Sequence, residues 1–459
     1  MGPLHLALLF PALGLAKDPL SHLPDFGSCK SSSLLGSLWG NDAAACSPDG
    51  AVGLVVEDSN QTVAKLTPAT WRFSKPCMEN GKREFCIYSS PDFANGRGIM
   101  MLTTPQRAGE VERSRIFTQP EIYASMPNLN AETSDRWRIE AVPGKGMGLI
   151  ATRDLQVGDH IMSTTPSVMI DYDVFYELES AQIHQMQGEG ISYLPERHRN
   201  IFLNLSTHDG AEDYNSRVNK IILTNAFDID NTGVVEKKEE GERESWYTVF
   251  PEISRMNHDC RPNADYYFDV ETFTHNIHAV RPIMAGEEIT VSYIENMCAD
   301  QIDHHSPVQP RHERLQRLNT SWHFPCSCSL CTQNAHQTAA SDARIAQIEE
   351  LRAQFRDYEP GSQATPAMGE LMVSLFQQER LWSSMYEAYT YAALEYNGAG
   401  EPWLASKYAR LAIEHGLAAG GPKDSDVLAM QALVKDPWAH WSWMLRTKRR
   451  MNWVSNVET

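Results

Sequence analysis

The sequence predicts an α+β fold: an irregular β region followed by a helical C-terminal domain. Two observations carry that expectation. From Trp137 onward, short apolar runs are separated by Gly and Asp turns, the pattern of short strands. After about residue 336 the apolar positions switch to helical spacing, as in Met368, Leu371, Met372, Leu375 and Phe376. At 459 residues the chain has room for about two to four domains.

Composition narrows the function classes. Hydrophobic residues make up 42% and charged residues 22%, ordinary for a globular chain. Lys plus Arg total 40 against 59 Asp plus Glu, a net charge of −19. That sign repels phosphate backbones, so direct nucleic-acid binding is not expected without a local basic patch. It suits a basic protein or peptide partner. No apolar run reaches the roughly 18 residues a spanning helix needs, so no membrane span is expected.

Taken in order, Leu4 to Ala16 (LHLALLFPALGLA) is a short apolar run ending in small residues, which reads as a cleaved secretory signal over residues 1–16. A positively charged leader is missing, and a buried N-terminal helix is the alternative. The secretory pathway is therefore the expected location, with cytoplasm or nucleus as the alternative. Residues 17–133 are rich in Ser, Gly, Asn and Pro with short apolar pieces, and read as a loop-rich N-terminal region, a small β or irregular domain. Arg138 to Val142 reads as a strand, Leu149 to Thr152 as a second, and Val157 to Met162 as a turn and strand. Residues 170–225 look helical, and the charged run at 231–246 reads as an exposed loop. Strands return at Asp265 to Asp269 and Ile289 to Tyr293. Trp382 to Tyr396 and Trp403 to Leu417 form a helical pair with the small/large alternation of stacked hairpins, similar to tetratricopeptide packing without a strict period.

Nine cysteines divide into two groups. Cys29, Cys46, Cys77 and Cys86 lack metal-ligand spacing and could form two disulfides in an oxidising compartment. Cys326, Cys328 and Cys331 have C-x-C-x-x-C spacing, which converges three thiols on one metal. Disulfides are the other reading. Either reading needs a distant partner, for which Cys260 and Cys298 are the candidates.

Three further motifs carry chemistry. Gly144-Lys145-Gly146-Met147-Gly148 is a glycine turn between strands, where a backbone can approach a ligand closely. No third glycine sits at the spacing of a dinucleotide fingerprint, and no helix follows. NHDCRPN, residues 257–263, packs too many polar side-chain types into one bend to be a core element. Gly286 to Tyr293 (GEEITVSY) ends a strand on a phenol.

In this order, the glycine turn, NH-x-C-x-PN, GEE-x-T-x-x-Y and C-x-C-x-x-C resemble the SET-domain protein-lysine methyltransferases, most closely the SET–MYND type and its fungal relatives. The resemblance covers about residues 134–335. It divides the chain into a SET domain at 134–296, a post-SET segment at 297–335 and a helical domain at 336–459. It implies an irregular β fold with a pseudoknot and a post-SET zinc site. The implied reaction is methyl transfer from S-adenosylmethionine to a lysine of a protein or peptide. A secreted or inactive SET-fold scaffold is the alternative.

Residue by residue, the resemblance assigns the cofactor to Lys145, Gly146, Met147 and Gly148, to Asn257 and His258, to Asn225, and to Phe324 with Trp322 as its neighbour. It assigns the catalytic role to Tyr293. It puts Zn2+ on Cys260, Cys326, Cys328 and Cys331, leaving Cys298 over, and reads Asp259 and Arg261 as local packing or surface. The zinc-binding MYND insert is not recognisable, because no Cys/His cluster interrupts residues 154–253.

Overall fold

In the computed structural model, residues 70–457 are described except 80–82, 127, 208–209, 212, 231–244 and 295–308. The signal-like segment, Cys29, Cys46, Cys298 and most of the charged run lie outside the described residues.

Six strands form the longest sheet: β1 (Arg72–Glu79), β2 (Glu84–Ser90), β3 (Ile99–Thr103), β7 (Val168–Asp171), β8 (Ala226–Asp230) and β9 (Ser245–Val249). Their order across the sheet is β1-β2-β3-β7-β9-β8. β2, β3 and β7 read as near-continuous apolar runs, as strands covered on both faces must. Alternation divides them cleanly. Phe85, Ile87, Met100, Leu102, Val168 and Ile170 face a core shared with helices Ser180–Ser192 and Tyr214–Asn225. Cys86, Tyr88, Ile99, Met101 and Met169 face the other core, with Val111, Phe117 and Tyr123 from the helices at 105–124.

Of the region read as loop-rich, residues 17–69 lie outside the described residues, and from 70 to 133 the chain forms strands and short helices. Strands β1 to β3 belong to that sheet, and β3 pairs in parallel with β7 through Met100–Val168, Met101–Met169 and Leu102–Ile170. A parallel partner so far along the chain leaves no local signal, which is why the boundary at 133 looked natural. Within the same region Cys77 and Cys86 are bridged across β1 and β2.

Two smaller sheets build the site. One contains β4 (Trp137–Val142), β5 (Gly146–Ala151), β10 (Asn257–His258) and β13 (Glu288–Val291), in the order β10-β13-β5-β4. The other joins β11 (Ala264–Asp269), β12 (Thr274–Ala279) and β6 (His160–Thr164), all antiparallel. Their shared core includes Leu149, Ile161, Phe250, Met256, Ile277 and Ile289.

His275 sits inside that core, 4.3 Å from the Phe250 ring and flanked by Phe227, Tyr266 and Phe268. Among the described residues its Nδ1 has no hydrogen-bond partner, and burial pushes its pKa down to about 3. His198 is likewise pushed down to about 2, by burial first and then by Arg97. A base whose folded pKa is depressed stabilises the fold above its unfolded pKa. That contribution is lost as pH falls from about 6.5 towards the folded value. Thermal melts are expected to show stability falling between about pH 6.5 and pH 3, by up to about 1.4 kcal/mol per pH unit per histidine. His275→Phe is expected to flatten part of that slope, and an unchanged slope would remove His275 from this role.

The C-terminal helices run Ala335–Arg356, Pro366–Glu379, Met385–Ala399, Pro402–Ala419, Ser425–Lys435 and Leu445–Val457, and consecutive helices from Ala335 to Lys435 pack on one another. Close approach fixes two small residues. A Cβ on Gly369 would lie 2.8 Å from the Ala392 Cα, and one on Gly416 would lie 2.6 Å from Val427. Among the described residues no helix is long and apolar enough to cross a membrane.

Candidate functional site

The β4–β5 hairpin begins the site. Gly144 and Gly146 take left-handed backbone angles (φ 75° and 81°), which any side chain would strain. Gly148 is constrained differently. A Cβ there would lie 2.7 Å from Val142, 2.8 Å from Asn257 Nδ2 and 2.9 Å from Glu288 Oε1. The turn leaves Gly146 and Met147 exposed at the edge of the sheet.

NHDCRPN runs alongside β13. Asn257 and His258 pair in parallel with Thr290 and Val291, and the Asp259 N–H donates to the Val291 carbonyl at 3.0 Å. Asn263 completes the clamp from its buried position. Its Nδ2 donates to the Glu288 carbonyl at 2.8 Å, while its Oδ1 accepts from the Thr290 N–H at 2.8 Å. Because of this pairing, residues far apart in sequence meet at one place.

Asn257 faces the glycine turn. Its Nδ2 donates to the Met147 carbonyl at 3.2 Å and to Glu288 Oε1 at 2.8 Å. The other carboxylate oxygen of Glu288 accepts from Lys145 Nζ at 2.7 Å. Glu288 thus ties Asn257 to the glycine turn, a role the sequence reading did not give it. Its place in GEE was the available signal.

His258 is buried, and both ring nitrogens are engaged. Nδ1 accepts from the Tyr293 N–H at 3.0 Å, so Nε2 carries the proton and donates to Cys260 Sγ at 3.2 Å. Burial, ahead of nearby charges, pushes its pKa down to about 3. The ring therefore orients a thiol and a backbone, and only its backbone and ring face remain for a ligand.

Tyr293 donates its hydroxyl proton to the Met256 carbonyl at 2.7 Å. Burial, then the Glu288 charge, pushes the phenol above its ordinary range, so it stays protonated at neutral pH. Its ring lies 5.4 Å from His258, 5.6 Å from Trp322 and 6.3 Å from Phe324, the last perpendicular. Trp322 ends helix Arg311–Trp322, and His323 follows in a left-handed conformation that turns the chain toward Phe324.

Asn225, the last residue of helix Tyr214–Asn225, spends its Nδ2 on the Ser206 and Ile221 carbonyls at 2.9 and 2.8 Å. Its own carbonyl accepts from Ser254 Oγ at 3.3 Å, which ties the helix end to the approach to NHDCRPN.

The four later thiols converge. Cys260, Cys326, Cys328 and Cys331 are all buried, and their sulfurs lie within 4.8 Å of one another. Cys260 Sγ is 3.5 Å from Cys331 Sγ and 3.9 Å from Cys326 Sγ. Side-chain hydrogen bonds from Cys260, then Cys326 and Cys331, hold the Cys328 thiol below the ordinary thiol range.

Arg261 corrects the reading of that position as local packing or surface. It is buried, and its guanidinium reaches the Cys260 carbonyl at 2.7 Å, Glu379 Oε2 at 3.3 Å and the Glu379 carbonyl. Glu379 also accepts from Ser341 Oγ and from Arg344 Nε, each at 2.7 Å. Arg311 Nε donates to the Cys331 carbonyl at 2.8 Å, and Arg380 donates to Ser329 Oγ at 3.2 Å. The helical domain therefore grips the cysteine turn directly. Glu379 lies too far along the chain for its pairing with Arg261 to be read from sequence.

Residues 146–294 match the SET domain family model. Histone-lysine N-methyltransferase set5 of Schizosaccharomyces pombe is 29% identical over 49% of this chain and 57% of its own length. Histone-lysine N-methyltransferase Smyd1 of Mus musculus is 24% identical over 46% of this chain and 38% of its own. This chain thus spans little more than half of the first of these curated relatives and less of the second. The solved SET domain of LSMT, bound to lysine and AdoHcy, matches over 70% of this chain and 88% of that one, at 12% identity and a TM-score of 0.24, too loose a superposition to carry weight.

Proposed function

We propose that this protein is an S-adenosylmethionine-dependent protein-lysine N-methyltransferase. The observation that carries the reading is the parallel pairing of Asn257–His258 with Thr290–Val291. It gathers the glycine turn, Tyr293, the aromatic pair Trp322 and Phe324, and the four thiols at one place. The SET domain at 146–294 and the methyltransferase relatives support it. The same pairing supports the family's pseudoknot, and the successive packing of the C-terminal helices supports a tetratricopeptide-like arrangement.

The residues present fit both implied groups. Tetrahedral zinc with Zn–S bonds of about 2.3 Å separates its sulfurs by about 3.8 Å, close to the 3.5 and 3.9 Å found here. A closed set of four thiolates is the structural type, and the His258 donor on Cys260 is the outer partner such a thiolate takes. For the cofactor, the turn at Lys145 to Gly148 presents exposed backbone beside Asn257, with Phe324 and Trp322 on the post-SET side.

S-adenosylmethionine, when bound, supplies an electrophilic methyl group. The chain's own work is to accept a neutral lysine amine, align it and keep water out. Tyr293 stays protonated and keeps its hydroxyl fixed on the Met256 carbonyl. A fixed phenol oxygen and a fixed carbonyl are preorganised acceptors for the amine. The rings of Trp322, Phe324 and His258 pack around the Tyr293 ring.

Purified protein is expected to bind S-adenosylmethionine by calorimetry and to carry one zinc per chain. Tyr293→Phe is expected to lower methyl transfer to a lysine peptide by about 100-fold or more. It leaves cofactor affinity nearly unchanged and costs about 1 kcal/mol of stability for the lost hydrogen bond. Absence of cofactor binding, or full activity in Tyr293→Phe, would overturn the assignment.

A secreted SET-fold interaction protein is the second reading, and the Cys77–Cys86 bridge favours it, since disulfides persist in oxidising compartments. Intact mass of protein from its native host separates the two. Loss of residues 1–16 supports secretion, and a full-length reduced chain supports the cytoplasm or nucleus.

A further inference from the structure

Residues 436–450 (DPWAHWSWMLRTKRR) hold three tryptophans and four basic residues against one acid, in a chain of net charge −19. Arg446 is buried and spent on Glu395 at 2.6 Å. Lys448, Arg449 and Arg450 are exposed, and among the described residues no carboxylate pairs with them. Trp438 and Trp441 are 52% and 40% exposed, and Trp403, which contacts Trp438, is 76% exposed.

These residues form one surface. The ring centroids of Trp403 and Trp438 are 5.9 Å apart, and those of Trp438 and Trp443 are 6.3 Å apart. Lys448 Nζ donates to the Trp443 carbonyl at 3.3 Å. Arg449 donates to the carbonyl of Tyr358, whose ring lies 5.9 Å from Trp441.

The loop that presents the indoles is tied to helix Met385–Ala399. Asn397 is fully buried, and its Nδ2 donates to the Pro437 carbonyl at 3.0 Å and to Ser442 Oγ at 2.8 Å. Its carbonyl accepts from the Met444 N–H at 2.9 Å. Holding large apolar rings in water with buried hydrogen bonds is a feature of interaction sites. Cations beside indoles select an anionic, partly apolar partner.

We propose that this face docks the protein on an anionic lipid surface. Indoles settle at the headgroup level of a bilayer, where their apolar body and N–H are both satisfied. Adjacent Lys and Arg draw the face to anionic headgroups. Single-stranded nucleic acid is the competing polyanion, but it binds by stacking bases on open ring faces. Here the edge-to-face packing of Trp403 against Trp438, at 86°, covers one such face.

The test is co-sedimentation of the full chain with vesicles of phosphatidylcholine, with and without phosphatidylserine. Binding is expected only with phosphatidylserine and is expected to weaken with salt. Replacing Lys448, Arg449 and Arg450 together by Gln is expected to lower the partition by about tenfold or more, since each basic residue near the surface contributes roughly fivefold. Trp403→Ala, at the most exposed ring, is expected to lower it independently, and both variants should remain folded by circular dichroism at the temperature of the assay. Equal partition onto phosphatidylcholine alone, parent-like binding by both variants, or displacement of the protein from vesicles by a single-stranded oligonucleotide would overturn the proposal. Methyl transfer is read separately on a soluble peptide, so failure of this surface leaves that activity untouched.

Discussion

Cys260→Ser is expected to leave the purified protein without zinc and without methyl transfer. Cys260 is the one thiol of the four-thiol cluster that comes from NHDCRPN, and the other three lie in the turn at 326–331. Structural zinc on thiolate-rich sites is worth about 10–16 kcal/mol at neutral pH, and that binding energy is folding energy. With three ligands, the turn is no longer fastened to β10. Phe324 and Trp322 then lose the anchor that holds them against Tyr293. A chelator acting on the parent protein should give the same result, reversed by added zinc. Elemental analysis, cofactor calorimetry and protease cleavage near residue 326 read the outcome. A variant that keeps parent melting and cofactor affinity would show that the thiols do not act as a metal site.

Glu379→Ala is expected to destabilise the protein by about 3–5 kcal/mol, the cost of leaving a buried charge unpaired. Arg261 and Glu379 have side chains only 2% and 1% exposed, so water cannot take the lost partner's place. Arg344, at 31% exposed, can turn to solvent and adds less. Because Arg261 also holds the Cys260 carbonyl, the same variant should speed zinc release to a chelator. The double variant Arg261→Met, Glu379→Leu is expected to recover much of the stability, as apolar replacements of buried pairs commonly do. Urea unfolding of the single and double variants measures both effects. Equal stability of Glu379→Ala and the parent would mean that the pair is not closed in solution.

Much of this site was legible before any fold was known. The glycine turn, Asn257, Cys260, Tyr293 and the C-x-C-x-x-C run were visible because each is a local pattern of unusual residue types. The strands at Trp137–Val142, Gly146–Ala151 and Glu288–Val291, and the helices at Pro366–Glu379 and Pro402–Ala419, were visible because their periodicity is local too. Three features were not. The sheet joining β1 to β3 with β7 depends on a parallel pairing across more than 60 residues. The Arg261–Glu379 pair spans 118 residues, and a lone Glu at a helix end carries no mark of its partner. The pairing of the His258 ring with Cys260 and the Tyr293 backbone is the third, since Tyr293 lies 35 residues further along the chain.

By itself, then, the sequence determined which chemical groups the protein has to work with: a glycine turn that admits close backbone approach, a phenol, four thiols and a helical C-terminal region. Local spacing is enough for that, since helix and strand periods and turn residues act within a few positions of one another. Only the tertiary structure decided which of these groups meet, and what holds them there. Burial makes an unpaired polar group costly, and Asn263, Arg261 and Glu379 meet that demand as supports of the site, with half-buried Glu288 tying the glycine turn to Asn257.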